Sequence, residues 1–499
     1  MKKINNGAAG LAIFLAVILL LTAPANAASD SSSNELKDIT QIELGNQHAL
    51  ALDKNGTVWA WGNNFNGELG DGTIGFKSAA VAVFRDAAKI QAGSGYSMAL
   101  RKDGTVWYWG SNGNGISGND TFNEKVDISI ISPTQVNNLS NVIDIASNQG
   151  HHLALKSDGK VWTWGSSDFG ELGRIDLNTY KPEDYRKRIS EAYVPKEVPG
   201  LRNIVSVHAG SFLSAAINSQ GETWIWGHYY GWGSDMPKLL APVKLDGVLA
   251  KKVAGTWEKT VVLCKDGTVW EIKKDLKLTK RLNAVTDISC GTFACAALSS
   301  DGTVSGLVSY YGEYQDPAPL SGISNVKLLA VQSLNQDQFM FVKSDGTLWT
   351  KVPFGSIAGN ESVVDYYNQM NVPSKEMESK LRQVKKAITV ELNGKTISLT
   401  TNPYIYKGVT FVPLRSTFNE LGAKVEYVQG EMTISNANHI LNLTIRQNEA
   451  FIDGRAVTLA YPPMIVNTMT MVPLRFVIEA LDNKIEWHPD NRLITISSN

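Results

Sequence analysis

The sequence predicts an all-β seven-bladed propeller followed by a small α+β domain, and three observations carry that prediction. Turn dipeptides recur seven times: Asn55-Gly56, Asp103-Gly104, Asp158-Gly159, Gln220-Gly221, Asp266-Gly267, Asp301-Gly302 and Asp345-Gly346. Ten of the 13 tryptophans stand three or five residues after those glycines. Towards the C-terminus the pattern stops and a different duplication takes over, in which Phe411-Val412-Pro413-Leu414-Arg415 is echoed by Met471-Val472-Pro473-Leu474-Arg475.

Each turn glycine follows an apolar run that ends four residues earlier, at Leu52, Leu100, Leu155, Ile217, Leu263, Leu298 and Val342. Thr-Val-Trp or a close variant comes after it. An Asn-Gly or Asp-Gly pair between alternating segments marks a hairpin, because a type I′ turn needs positive φ at both central residues. Trp59, Trp107, Trp162, Trp224, Trp270 and Trp349 occupy the third position, and Trp61, Trp109, Trp164 and Trp226 the fifth. A spacing of two places both rings on one face of a strand, where a repeated position serves the repeated core. The glycines recur every 35 to 62 residues. A period near 45 built from strands is that of propeller blades, about four strands each.

The first repeats add Trp-Gly and a glycine-rich return, as in Trp61-Gly62 to Gly67-Glu68-Leu69-Gly70 and Trp164-Gly165 to Gly170-Glu171-Leu172-Gly173. With Ala92-Gly93, His151-His152-Leu153-Ala154-Leu155, Asp158-Gly159 and Val161-Trp162-Thr163-Trp164-Gly165, this segment resembles the regulator of chromosome condensation repeat family. The resemblance spans residues 39–352 and is strongest in repeats one to four, since five to seven lose the Trp-Gly and Gly-Glu-Leu-Gly parts. It implies a rigid disc that presents loops to a macromolecule, without fixing a chemistry.

Loops leaving the Trp strands differ between repeats while the framework does not. They carry Phe65, Phe169, the pair Tyr229-Tyr230 and the pair Tyr310-Tyr311, six aromatics expected to ring one face as candidate binding residues. Tyr and Trp anchor protein contacts, and aromatic platforms stack on sugars. The alternative is that these rings simply cover blade edges. An insert from Arg174 to Gly200 adds Tyr180, Tyr185 and Tyr193.

No catalytic residue, metal ligand or cofactor is assigned. The seven histidines show no H-E-x-x-H spacing, and no Gly-x-Ser-x-Gly elbow occurs. Glu68 and Glu171, the carboxylates an enzyme acting on polysaccharide would use, share a repeat offset and read first as turn residues. An acid/base group that breaks the repeat inside a pocket is not legible.

Residues 1–27 have the form of a signal peptide: Lys2 and Lys3, an apolar core from Leu11 to Leu21, and Ala25-Asn26-Ala27 as the cleavage site. A linker, 28–38, follows. No later stretch is apolar and long enough to span a bilayer. With 47 basic and 48 acidic residues, the balance argues against a nucleic-acid partner. Cys264, Cys290 and Cys295 allow at most one bridge.

After a linker at 353–386, residues 387–499 read as α+β. Leu414, Phe418, Leu421 and Leu474, Ile478, Leu481 fall at helix spacing behind each proline, and Gly422 and Asp482-Asn483 suit helix ends. Lys424–Tyr427 and Lys484–Trp487 alternate as strands do. On its two Val-Pro-Leu-Arg units this segment resembles the copper amine oxidase N-terminal-like, or stalk, domain. That resemblance implies an accessory module without the copper site, since His439 and His488 stand isolated. The expected whole is a secreted bacterial protein, monomeric and non-catalytic, free or wall-associated. Its propeller loops would recognise an extracellular protein or cell-wall glycan, with the stalk domain as spacer or tether. The alternatives are a secreted enzyme acting on polysaccharide and an inhibitor of a secreted enzyme.

Overall fold

The computed structural model describes residues 36–113, 117–119, 129–174, 191–230, 238–292, 294–309, 317–320, 322–333, 338–351, 382–383, 386–397, 399, 403–406, 409–428, 430–466, 469–489 and 492–498. The signal segment 1–27, Tyr310 and Tyr311 lie outside them.

Seven four-stranded antiparallel sheets follow one another, each in chain order from its first strand to its fourth. Blade one comprises Ile39–Leu44, His48–Asp53, Val58–Gly62 and Lys77–Phe84. Blades two to six begin at Ala87, Val142, Ile204, Ala250 and Val285. Blade seven runs from Val326 and takes its fourth strand from Arg382–Gln383, paired to Trp349 and Thr350. The expected linker at 353–386 therefore contributes to the last blade. Two residues carry no periodicity by which a sequence could announce them.

Local chemistry explains the hairpins. Asp103 Oδ1 accepts from the Thr105 N–H and hydroxyl, and that hydroxyl in turn accepts from Trp107 Nε1–H. The same chain recurs through Asp266, Thr268 and Trp270, and through Asp345, Thr347 and Trp349. Asp-Gly-Thr-x-Trp is thus a self-bonding turn whose first Trp roofs the hairpin. The second Trp is different: Trp61, Trp109, Trp164 and Trp226 are fully buried.

Those rings seal the gaps between blades. Trp226 packs with Leu153, Leu155, Val161 and Val207 between blades three and four. Its Nε1–H donates to the Glu171 carbonyl at 2.7 Å. A Cβ on Gly173 (φ 64°) would lie 2.9 Å from that indole, and one on Gly70 (φ 78°) 2.7 Å from Trp109. The last glycine of Gly-Glu-Leu-Gly is required both by its left-handed backbone and by the ring it supports. Apolar clusters occupy all seven gaps, and the one joining Ile39, Ile42 and Trp61 to Ala330, Met340 and Val342 closes the ring.

The C-terminal domain holds the two short helices α1 (Leu414–Glu420) and α2 (Leu474–Ala480). The strands Val409–Pro413 and Met469–Pro473, which feed them, pair antiparallel with Val412 opposite Val472. Pro413 and Pro473 supply the extended residue ahead of each helix. Gly422 and Asp482, both at positive φ, follow the helices. Leu414, Phe418, Leu474, Val477 and Ile478 point into one core with Ile434, Leu441 and Ile494. This domain abuts blade one, where Ala387 N–H donates to the Ala80 carbonyl at 2.9 Å.

Candidate functional site

The third strand of each blade ends on the face that also carries the turns joining first and second strands; we call this the loop face. The Asp-Gly hairpins lie on the opposite, hairpin face. Phe65 is 67% exposed on the loop face. Phe169 is half-buried, its ring centroid 4.4 Å from that of Phe212, with Lys238 Nζ 4.9 Å above it. Phe212 lies 5.9 Å from Trp257. Phe169, Phe212 and Trp257 therefore form one aromatic row across blades three to five. Phe212 and Trp257 were invisible as site residues because they stand in short turns. Their signal is a departure from the repeat: Trp257 stands where blades one and two carry Asn46 and Ser94, and Phe212 where they carry Gln47 and Gly95.

Tyr229 does not belong to this surface. It is 5% exposed, packed in the core between blades four and five, and its carbonyl accepts from the Thr260 hydroxyl. At the corresponding offset Asn64 and Asn112 are buried too, and their Oδ1 atoms close the loop onto Leu69 N–H and Ser117 N–H. The offset thus belongs to the loop's foundation, and Tyr229 fills it with an apolar ring. Its neighbour Tyr230 is half-buried against the same core.

Glu68 and Glu171 hold their own loops. Glu68 accepts from Asn66 N–H and Asn63 Nδ2, and Glu171 from Phe169 N–H at 2.8 Å. Burial pushes the Glu171 carboxyl up to about 8. A folded value above the unfolded one means that stability is full below about pH 4.5 and is lost as pH rises through 8. Glu171→Gln, whose amide oxygen can still accept from Phe169 N–H, is expected to flatten that slope; urea unfolding midpoints between about pH 5 and 8 measure it.

A second feature lies on the propeller axis. The first strands of all seven blades line a channel of about 340 Å³. A register shift at the start of each first strand places Gln41, Lys89, Asp144, Ser206, Lys252, Asp287 and Leu328 at equivalent positions, and of these Gln41, Lys89, Lys252, Asp287 and Leu328 line the bore. Two residues further along come Glu43, Gln91, Ala146, His208, Ala254, Ser289 and Ala330. Glu43 and His208 are acid/base groups that break the repeat inside a pocket, the feature not legible beforehand. Burial raises the Glu43 carboxyl above its ordinary value. It also takes His208 well below 6.5, with Lys89 and Lys252 adding to the fall. Lys89 pairs with Asp144, and Lys252 with Asp287 at 2.8 Å. At the loop face Gln149 donates to the Thr292 hydroxyl, which also accepts from Gln332, which in turn donates to Asn46. Because blades three and six stand on opposite sides of the ring, this chain of bonds crosses the bore.

Cys290 and Cys295 form a disulfide across a two-strand register pair in blade six, and Cys264 is a buried free thiol. In the C-terminal domain His439 is held between Asp453 and Asp482 at 2.8 Å each, which raises its pKa.

Residues 19–272 match the family described as an RCC1-like domain, and residues 391–496 match the copper amine oxidase N-terminal domain. The chain is 29% identical to Protein pim1 of Schizosaccharomyces pombe over 240 residues, covering 45% of this chain and 44% of pim1, so it spans less than half of that relative. It is 27% identical to the Regulator of chromosome condensation of Homo sapiens over 352 residues, 62% of this chain and 83% of that protein. Among solved structures, Prp20p from Saccharomyces cerevisiae aligns with a TM-score of 0.48 at 20% identity, covering 59% of this chain and 80% of Prp20p.

Proposed function

This chain belongs to the RCC1-like domain family, and on that premise we propose that it is an exported binding protein whose loop face recognises an extracellular protein or cell-wall glycan. A non-catalytic binding or regulatory role follows from the family and from the accessory character of the C-terminal module. The observation that carries the finer reading is the row Phe169, Phe212 and Trp257 with exposed Phe65: aromatic area placed where the repeat itself needs only small or polar turn residues. Lys238 over Phe169 adds a cation to the row. Export is supported by the signal-like segment 1–27 and by the Cys290–Cys295 bridge, a bond that persists in oxidising compartments. The stalk-type domain would space or tether the disc.

The test is capture from the extracellular and wall fractions of the producing cells on immobilised protein, beside the variant Phe65→Ala, Phe169→Ala, Trp257→Ala. A component held by the native protein and released at least about tenfold more readily by the variant supports the loop face. Equal retention by a folded variant contradicts it. Protease and glycosidase treatment of the retained component then separates protein from glycan.

A further inference from the structure

We propose that the axial channel is a second binding site, built for a small zwitterion that sets an ammonium on Glu43 and a carboxylate on Lys89 and Lys252. The site is independent of the loop-face reading.

The wall is a part of the molecule where repetition fails. The position of Glu43 is Ala146, Ala254 and Ala330 in three other blades, so the fold is content with a methyl group there. Large polar side chains at this depth serve something other than blade packing. A closed ring needs no charge on its axis, and burying charge costs free energy unless a partner compensates it.

The arrangement of partners defines the ligand. Glu43 Oε1 accepts from Gln41 Nε2 at 2.8 Å and Gln91 Nε2 at 3.2 Å, both neutral amides. Among the described residues no hydrogen bond or ion pair reaches Glu43 Oε2. Among the described residues no cation therefore touches this carboxyl directly, and an ammonium group supplies one. On the lysine side the aspartates are already committed. Asp144 accepts from the backbone N–H groups of Ile145 and Val207, and Asp287 from that of Ile288. Each lysine gives one of its three donors to its aspartate and keeps two for a ligand anion. Lys89 and Lys252 act electrostatically on both Glu43 and His208, so the two signs share one small space.

Net charge then selects among solutes. Two lysines and two aspartates cancel, leaving one carboxyl and one imidazole. An ionised Glu43 leaves the wall one negative charge, which an ammonium neutralises; the carboxylate of a zwitterion then meets the spare donors of the two lysines, which a plain amine leaves unused. The Gln149–Thr292–Gln332–Asn46 bridge floors the well at the loop face. The ligand enters from the hairpin face, opposite the aromatic row. A volume of about 340 Å³ suits a molecule of amino-acid size.

The test is calorimetric titration of the full chain with three short-chain probes that carry both charged ends, the ammonium alone or the carboxylate alone: γ-aminobutyrate, n-butylamine and butyrate. The expected result is saturable binding of γ-aminobutyrate and affinity at least about tenfold weaker for each half-probe. In Glu43→Gln, which keeps size and amide contacts, γ-aminobutyrate should weaken by about tenfold. Equal affinity for butylamine or butyrate overturns the proposal, as does no binding of γ-aminobutyrate to the native chain. An unchanged affinity in Glu43→Gln also overturns it. The native-chain comparison stands even if the variant fails to fold.

Discussion

Trp226→Ala is expected to lower the free energy of unfolding by about 4–6 kcal/mol, against about 1–2 kcal/mol for its neighbour Trp224→Ala. Both rings lie on one face of the same strand, yet they do different things. Trp224 is half-buried over its hairpin. Trp226 is wholly enclosed between blades three and four, stands on Gly173, and satisfies the Glu171 carbonyl. Truncation removes the largest side chain from that gap and leaves a buried carbonyl without its donor. A domain is ordinarily stable by about 5–15 kcal/mol, so the loss takes a large share of the whole. Urea unfolding followed by tryptophan fluorescence measures it. Equal effects at the two positions would mean that the blade gaps are not where stability resides.

The second large effect is expected in acid. Burial holds His48 and His151 near 4, well below the ordinary histidine value near 6.5. A folded value below the unfolded one means both rings are neutral in the native state. Their contribution is complete above about pH 6.5 and falls away as pH drops towards 4. A shift of that size corresponds to about 3 kcal/mol for each ring. The hairpin aspartates Asp103, Asp266, Asp301 and Asp345, held below their ordinary value first by the threonine hydroxyl beside each, act in a lower window that begins near pH 4. The share of the two rings is therefore a fall in denaturation midpoints as pH drops from about 6.5 to 4, on which Glu171 superimposes its own opposite slope. His151→Leu, which installs the residue blade four carries at the equivalent place as Leu213, should remove about half of that fall. A slope unchanged by the substitution would contradict the assignment.

How much of this was legible beforehand depends on where each residue's role is decided. Asp103-Gly104-Thr105 and Trp107 announce themselves because the turn, the hydroxyl and the indole bond to one another within five residues. The Pro413 and Pro473 helices are equally local. Arg382–Gln383 cannot be read, since a two-residue outer strand is made only by its partner Trp349–Thr350. Tyr229 looks like a surface anchor by its aromatic character alone, but it shares an offset with Asn64 and Asn112, which are buried. Phe212 and Trp257 become a row only when blades four and five are set side by side. The axial wall is the extreme case: Glu43, Lys89, His208 and Lys252 lie far apart in the chain, and the register shift at the start of each first strand leaves no mark in composition. Departures from the repeat mark these positions in the first strands as they do in the loops.

The central claim is that the loop face over blades three to five is the recognition surface. It is tested most directly by amide hydrogen exchange on the protein, alone and saturated with the captured partner. Slowed exchange confined to the loops around Phe169, Phe212 and Trp257, with the hairpin face and residues 387–499 unchanged, is the result expected. Protection on the Asp-Gly hairpins or across the C-terminal domain, with those loops exchanging as before, would contradict it.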